Sequence, residues 1–263
     1  MIRNFLLIGI LFFPLLAGVP GHAEESTEIG SGEAVVVQAS SSWLEDDPVE
    51  VSTEAPDSKP SAWIDPLEPV NRALFTFNDR VYLWVVRPVV TTYSAIVPVK
   101  ARICVRNAFQ NLFVPIRLVN NVLQGKFVNS GVELGRFVIN STVGVAGLFD
   151  PAREYLNLLP SKEDFGQTLG VYGIGDRIYL FWPFLGPSTL RDTLGLGGDY
   201  FLNPLSCLAV ADWHSALGAK SGEEVNRNSL SLGEYEKLKA ESFDFYVAVR
   251  DGYLQLRQHE IAR

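Results

Sequence analysis

A polar stripe on an otherwise apolar helical segment is the first feature of this sequence that could do chemistry. Residues 130–143 follow a helical period, and Glu133, Arg136 and Asn140 fall on one narrow side of it. Most other positions are Val, Leu, Ile or Phe. Such a helix is expected where apolar residues contact lipid or core, while the stripe faces a wet cavity or a partner. The alternative is a Glu133–Arg136 ion pair at a thin solvent-facing edge.

Two amides, Asn71 and Asn78, lie inside the apolar face of another predicted helix. This helix should begin at Asp65, which is followed by a proline and then by a glutamate that can close a capping box. It should end near Arg87-Pro88, since proline interrupts helical hydrogen bonding. Buried amides must find hydrogen bonds, so the two either join packed helices or form a polar track through an apolar surface. We favour the first interpretation.

Residues 144–186 are rich in glycine, proline and aromatic residues, and we predict that they are irregular. Gly144 and Gly147 frame a turn that is either a mobile gate or a tight connection, because glycine lowers the cost of bending. A later aromatic run, too short to span a bilayer, suits the water–lipid boundary but also a buried core. The membrane-interface candidates are Tyr179, Phe181, Trp182 and Phe184.

The sequence contains none of the common catalytic or metal-binding motifs that we searched for, such as G-x-S-x-G, H-E-x-x-H, a P-loop or CxxC. General acid–base catalysis would rest on carboxylates, and no pair of them stands out. Cys104 and Cys207 either form a disulfide or remain buried free thiols. Two cysteines alone cannot form a structural zinc site, and the chain after the signal adds only His214 and His259 as further histidine or cysteine ligands. We therefore predict a protein that is not an enzyme, with no catalytic residues, no metal site and no cofactor.

The chain divides into three parts. Residues 1–23 combine one basic residue, a short apolar run and small residues near the end, which is the layout of a cleavable secretory signal. Residues 24–62 carry ten acidic residues and one basic residue without a sustained period, which predicts a disordered leader. Residues 63–263 hold twenty acidic and twenty basic residues, so this body lacks the basic surface that nucleic acid requires.

The body is predicted to be mainly α. Beyond the signal, no uninterrupted apolar segment is long enough to span a bilayer. After the first helix, the pattern predicts helices at about 100–112, 115–124, 130–143 and 189–194, and one from about 231 to 258.

Eight motifs in the body, taken together and in this order, resemble the MlaA family, also called VacJ, of outer-membrane phospholipid-transport lipoproteins. The resemblance covers about residues 63–258, and the ordered set is far more specific than any single motif. The matching stretches are 65–72 (DPLEPVNR), 75–79 (FTFND), 123–125 (LQG), 135–142 (GRFVINST), 147–150 (GLFD), 164–170 (DFGQTLG), 186–192 (GPSTLRD) and 249–254 (VRDGYL).

This resemblance implies a ring-like array of amphipathic helices lying in the plane of the membrane, in the inner leaflet of the outer membrane, around a central channel. Family members are thought to remove phospholipids that stray into the outer leaflet and to pass them to a soluble periplasmic carrier, and they associate with trimeric porins. The family's lipobox cysteine is missing here, because Ala23 and Glu24 stand at the cleavage site. Retention would then depend on the amphipathic body.

The resemblance and the residues lead to one hypothesis about the site. Glu133, Arg136 and Asn140, with Asn71 and Asn78, line a path for the phospholipid headgroup, and the turn framed by Gly144 and Gly147 gates it. The alternative functions are a porin-associated scaffold that moves no lipid and a lipid hydrolase that uses carboxylates.

Overall fold

A computed structural model describes residues 65–176 and 178–263 of the protein. These residues are mostly helical, which confirms the predicted mainly α class, and the predicted signal and leader lie outside them. The helices are α1 (Glu68–Val81), α2 (Arg87–Ile96), α3 (Val99–Leu112), α4 (Val114–Leu123), α5 (Phe127–Thr142), α6 (Pro151–Leu156), α7 (Phe165–Val171), α8 (Leu190–Leu202), α9 (Pro204–Ala211), α10 (Trp213–Leu230), α11 (Glu234–Glu241) and α12 (Phe245–Ala262). Strands β1 (Tyr179–Trp182) and β2 (Gly186–Thr189) form an antiparallel hairpin between α7 and α8.

The first helix does not end at Arg87-Pro88, so this part of the sequence prediction was wrong. A π-helical turn, Tyr82–Val86, joins α1 to α2, and the chain stays helical to Ile96. Proline inside a regular α-helix loses a hydrogen bond and clashes with the carbonyl four residues earlier. The π turn lies directly before Pro88, and the bond from Arg87 N–H to the Tyr82 carbonyl, five residues back, widens the helix where the ring must fit.

Helix α1 also begins differently from the prediction. The Asp65 carboxylate accepts a hydrogen bond from Leu67 N at 3.1 Å, so it still caps the entering chain. Glu68 does not complete a capping box, because its carboxylate pairs with Arg72 at 2.7 Å. In the described part of the chain no single helix is long and apolar enough to cross a bilayer, although Glu68–Ile96 and Val99–Leu112, bent by 115°, reach that length and composition together.

The region expected to be irregular contains two short helices and a strand. Helix α6 is capped by Asp150, whose carboxylate accepts from Arg153 N at 3.1 Å, and α7 is capped by Asp164, which accepts from Gln167 N at 2.8 Å. Each helix is at most seven residues long. Periodicity is weak over such lengths, and the capping residues were the only local signal for them.

The C-terminal part also differs from the sequence prediction. The single helix expected over 231–258 is two helices, because the chain turns before Asp244, whose side chain caps α12. Helix α8 is capped by Thr189 and runs to Leu202, eight residues beyond the predicted end at 194. Helices α9 and α10 were not predicted.

The described residues bury more polar side chains than apolar ones. Twenty-two buried side chains are polar or charged and nine are hydrophobic. Large apolar side chains lie outside instead, for example Trp84 at 75 %, Val128 at 81 % and Phe201 at 81 % exposure. Scattered exposed apolar residues are normal, but an interior with this many polar groups is unusual for a protein in water. The helices therefore turn apolar faces outward and polar faces inward.

A charged cluster around Arg257 joins α7, α8 and α12. The buried Arg257 guanidinium donates to both oxygens of Asp164, at 2.7 and 2.9 Å, and to Asp192 at 2.8 and 3.2 Å. It also donates to Glu260 at 3.0 Å, and Tyr253 Oη donates to Asp192 at 2.8 Å. Burial alone would raise the pKa of Asp192, but the bonds from Arg257 outweigh it and lower that pKa to about 2.

Replacing Arg257 should destabilise the fold in a pH-dependent way. We expect Arg257→Leu to lower the free energy of unfolding by about 3 kcal/mol at pH 7, because the buried Asp192 carboxylate loses one of its two guanidinium partners and keeps only Arg191, at 3.0 Å. The depressed pKa of Asp192 stabilises the wild type above pH 4, and this contribution is lost as the pH falls towards 2. Denaturant unfolding at both pH values should therefore show that the difference in unfolding free energy between wild type and Arg257→Leu is smaller at pH 3 than at pH 7.

Arg250→Leu is the matched control for this prediction. Arg250 lies on the same helix, but it hydrogen-bonds to the neighbouring Asp251, at 2.8 Å, and interacts with Asp65 only at longer range. We expect a clearly smaller loss that does not depend on pH, because only the pair with the partly exposed Asp251 is broken. Equal losses in the two variants, or a loss for Arg257→Leu that does not depend on pH, would contradict the prediction.

Candidate functional site

The polar stripe of α5 is buried and faces neighbouring elements of the protein. Glu133 is fully buried, and its carboxylate accepts from Arg117 Nε on α4 at 2.9 Å and from Ser161 N at 2.6 Å. The opposite side of α5 carries exposed apolar residues, including Leu134 at 51 % and Val138 at 52 %. The stripe therefore joins α5 to α4 and to the segment before α7, rather than lying at a solvent-facing edge.

Arg136 and Asn140, further along the stripe, converge on Asp150. Arg136 Nη2 and Asn140 Nδ2 each donate to one oxygen of the Asp150 carboxylate at 2.8 Å. Arg136 also donates to the Leu158 carbonyl, and Asn140 Oδ1 accepts from Ala152 N at 3.1 Å. Burial alone would raise the pKa of Asp150, but the bonds from Arg136 and Asn140 lower it overall, so the pair is held charged.

The two amides of α1 fasten the β1 strand and the hairpin. Asn71 donates to the Tyr179 carbonyl at 3.1 Å and accepts from Phe181 N at 2.9 Å. Asn78 does the same one heptad later, with the Trp182 carbonyl at 2.9 Å and Phe184 N at 3.0 Å. Both amides join packed elements, as the favoured interpretation expected, although the partner is a strand rather than a helix.

The turn over residues 143–149 is tight and contains two non-glycine residues in the left-handed region. Gly147 has a φ of 86°, but Val145 at 54° and Ala146 at 56° have side chains that disfavour such values. Glycine is required at 144, where a Cβ would lie 2.5 Å from the Phe149 carbonyl oxygen. Each strained residue costs on the order of 1–3 kcal/mol, so the packing and the backbone hydrogen bonds around the turn, such as Gly147 N to the Asn140 carbonyl at 2.8 Å, must hold it in this conformation.

A cleft of about 520 Å³ opens beside this turn. We call it the α3–α5 cleft. It is within the usual size range of ligand sites and mostly apolar. The cleft is lined by Ala108, Phe109, Asn111, Leu112, Pro115, Phe137, Ser141, Ala146 and Pro204.

None of the five predicted path residues is among the described residues that line this cleft. The gate candidates are closer to it, because Ala146 lies between them and contributes to the wall. Sequence reasoning missed Asn111 and Ser141, which supply the polar part of the lining. Ser141 directly follows the polar stripe, and Asn111 lies one helical turn after Asn107, so repeated asparagines on a partly apolar helix were the available signal.

The four aromatic candidates divide into two pairs. Tyr179 and Phe181 are buried at 3 % and 5 % exposure in an apolar core between β1, α1 and α12, so they do not face a membrane. Trp182 and Phe184 are exposed at 38 % and 64 %. The change from Phe181 to Trp182 follows from the strand, in which successive side chains point to opposite faces, whereas Phe184 lies in the hairpin turn with a φ of 65°.

The structure also bears on the cysteines and on metals. Cys104 is half-buried and Cys207 is exposed, and both are free thiols. In the described ranges no group of three or more His, Cys, Asp or Glu residues could hold a metal ion.

Comparison with known proteins gives the same family from sequence and from structure. Residues 63–260 match the model of the MlaA lipoprotein family. The intermembrane phospholipid transport system lipoprotein MlaA of Escherichia coli (strain K12) is 36% identical over 194 residues, covering 73% of this chain and 76% of that protein. Its namesake in Haemophilus influenzae is 27% identical over 200 residues, covering 75% and 79%.

A solved structure from work on the structural basis for maintenance of bacterial outer membrane lipid asymmetry also matches. Its TM-score is 0.66 at 33% identity, and the match covers 75% of this chain and 99% of that one. Since a family model and a relative above 30% identity agree over the same part of the chain, the protein belongs to the MlaA lipoprotein family.

Proposed function

We propose that this protein is the outer-membrane component of an intermembrane phospholipid transport system. It takes mislocalised phospholipids from the outer leaflet and passes them to a periplasmic carrier, which maintains the lipid asymmetry of the outer membrane. The observation that carries this proposal is the inverted helix packing, with apolar faces outward and polar faces inward. The names of the relatives in E. coli and H. influenzae support it.

The physical problem of phospholipid transfer fits such a surface. Two acyl chains of roughly 16 carbons cost about 25 kcal/mol to expose to water, at about 0.8 kcal/mol per methylene. The charged headgroup is in turn costly to drag through hydrocarbon. A protein that moves the whole molecule needs apolar contact for the chains and polar contact for the headgroup. No nucleotide-binding motif supplies energy, so the direction of transfer comes from partners or from the lipid gradient.

In this proposal the protein lies in the inner leaflet of the outer membrane, with its helices in the plane of the bilayer. Exposed apolar residues such as Leu134 and Val138 contact acyl chains, and Trp182 and Phe184 lie at the interface with water. Residues 1–23 direct export and are removed, and the apolar faces retain the body at the membrane. Its partners are phospholipid, a periplasmic lipid carrier and a trimeric porin.

The lipid path in this proposal runs through the α3–α5 cleft, with the 143–149 turn as its gate. The turn lies at the cleft wall and holds two strained residues, Val145 and Ala146. The polar stripe supports the path indirectly: Arg136 and Asn140 fix Asp150 just after the turn, so they set where the gate is attached. Asn71 and Asn78 likewise position the hairpin that carries the interface aromatics.

The exposed apolar surface also fits a porin-associated scaffold that moves no lipid, so the first experiment must separate the two. Purified protein incubated with phospholipid vesicles should retain intact phospholipid, detected by mass spectrometry, and should transfer it to acceptor vesicles. Release of fatty acid would identify a hydrolase instead. Neither retention nor hydrolysis would favour the scaffold.

The outward face of α5 gives a direct test of the membrane contact. We expect the double variant Leu134→Glu/Val138→Glu to fold normally, since both side chains are exposed, but to lose vesicle binding and lipid retention. Each apolar side chain that enters the bilayer contributes about 1.5–3 kcal/mol to membrane binding. A carboxylate at the same position loses this contribution and adds the cost of placing a charge in hydrocarbon. Leu232→Glu is the matched control, because Leu232 is 40 % exposed in the polar connection between α10 and α11. Equal vesicle binding by the two variants would contradict the proposal.

The gate can be tested with a pair of glycine-to-alanine substitutions. At Gly147 a Cβ would lie 2.5 Å from Asn111 Cβ, so Gly147→Ala should displace the turn and speed the exchange of bound lipid by tenfold or more. Gly135→Ala on α5 meets nothing within 4 Å and should leave exchange unchanged, with about 1 kcal/mol of added helix stability. The exchange rate of a fluorescent phospholipid is measured for both variants. The turn is no gate if Gly147→Ala exchanges lipid at the wild-type rate.

A further inference from the structure

One amide in the wall of the α3–α5 cleft has an unused hydrogen-bond acceptor. Asn111, near the end of α3, is 8 % exposed, and its Nδ2 donates to Ser141 Oγ on α5 at 2.9 Å. Its Oδ1 has no hydrogen-bond partner among the described residues. Most buried side-chain oxygens are bonded, and an exception calls for a physical explanation, of which a bound group that completes the site is one.

The surroundings of this acceptor decide what could bond to it. Apart from Asn111 and Ser141, the cleft lining consists of apolar side chains, which have nothing to donate. An amide oxygen in such surroundings gains from an N–H or O–H donor and gains nothing from a methyl group. The bond to Ser141 occupies Nδ2 and leaves Oδ1 buried without a hydrogen-bond partner among the described residues.

The amide also lies directly under the 143–149 turn. Gly147 packs so closely on Asn111 that a Cβ at position 147 would come within 2.8 Å of Asn111 Nδ2. The neighbouring Ala146 is one of the strained residues and lines the same cleft. The turn therefore packs against the amide from one side of the cleft, so the position of the turn and the exposure of the amide are coupled.

We propose that Asn111 Oδ1 accepts a hydrogen bond from the headgroup of the bound phospholipid, so that the cleft prefers headgroups with an ammonium N–H. An ethanolamine headgroup carries three such hydrogens, whereas the quaternary nitrogen of choline carries none. Asn111 is then the residue that sets headgroup specificity, and Ser141 positions it. This inference rests on the proposed function, because it names the lipid class that the same cleft takes.

A series of headgroups that differ only in N–H count tests the inference. The full-length purified protein is equilibrated with vesicles containing equal amounts of phosphatidylethanolamine, its N,N-dimethyl derivative and phosphatidylcholine, all with identical acyl chains. Bound lipid is then quantified by mass spectrometry. We expect retention to fall in that order, with about a tenfold preference for ethanolamine over choline, the effect of one hydrogen bond to a charged donor.

Two variants at Asn111 separate the acceptor from its surroundings. Asn111→Leu removes the acceptor and should retain the three lipids equally. Asn111→Asp keeps the acceptor with a negative charge and should increase the preference for ethanolamine several-fold. Asn228→Leu is the matched control, because among the described residues the Asn228 amide bonds only to the Glu224 carbonyl of its own helix, at 2.7 Å. It should keep the wild-type order.

The possible failures are distinguishable. A wild type that binds the three lipids equally, an Asn111→Leu variant that keeps the preference, or an Asn111→Asp variant that weakens it would each overturn the inference. If Asn111→Leu does not fold, the Asn111→Asp result decides alone. A wild type that retains none of the three lipids would overturn the proposed function itself.

Discussion

The constraint on which this structure depends is the hydrogen bonding of a polar interior. Once the helices turn their apolar faces outward, the groups between them are amides, hydroxyls and charges, and each one left unpaired costs about 1–3 kcal/mol. The structure meets this cost with bonds between side chains distant in sequence. Asn120 on α4 donates to Asp199 on α8 at 2.9 Å and accepts from Thr168 on α7 at 2.9 Å. Helix packing here is directed by such pairs, because a small apolar core alone would leave the relative positions of the helices loosely determined.

The sequence predicts which side of a helix is polar much better than it predicts which elements pack against that side. The narrow stripe on residues 130–143 indicated a helix that is apolar almost all round, and α5 is such a helix. Periodicity could not say that Arg136 and Asn140 meet Asp150, because that contact depends on a turn whose conformation comes from tertiary packing. Proline is a similar case. Local rules end a helix at Pro88, whereas the π turn before it keeps the helix intact.

The candidate site was only partly predictable for the same reason. Gly144 and Gly147 marked the turn correctly, since both positions tolerate only glycine, but nothing in the sequence places Val145 in the left-handed region. The cleft depends on four helices, α3, α4, α5 and α9, meeting that turn, and its polar wall consists of Asn111 from α3 and Ser141 from α5. Two residues thirty positions apart become a pair only through the packing of α3 against α5.

The surroundings of the protein determine how strong this arrangement is. In water the outward apolar faces are unfavourable, and exposed ends of the polar network compete with solvent for their hydrogen bonds. In hydrocarbon the apolar surfaces are in contact with acyl chains instead of water. No solvent donor or acceptor then competes for the polar network, so each internal hydrogen bond becomes stronger. The 143–149 turn is the exception, because its backbone carries strain that the side-chain network does not relieve. A lipid environment is therefore expected to strengthen the side-chain network around the cleft without relieving the strain in this turn, which is why we propose the turn, and not a helix, as the gate.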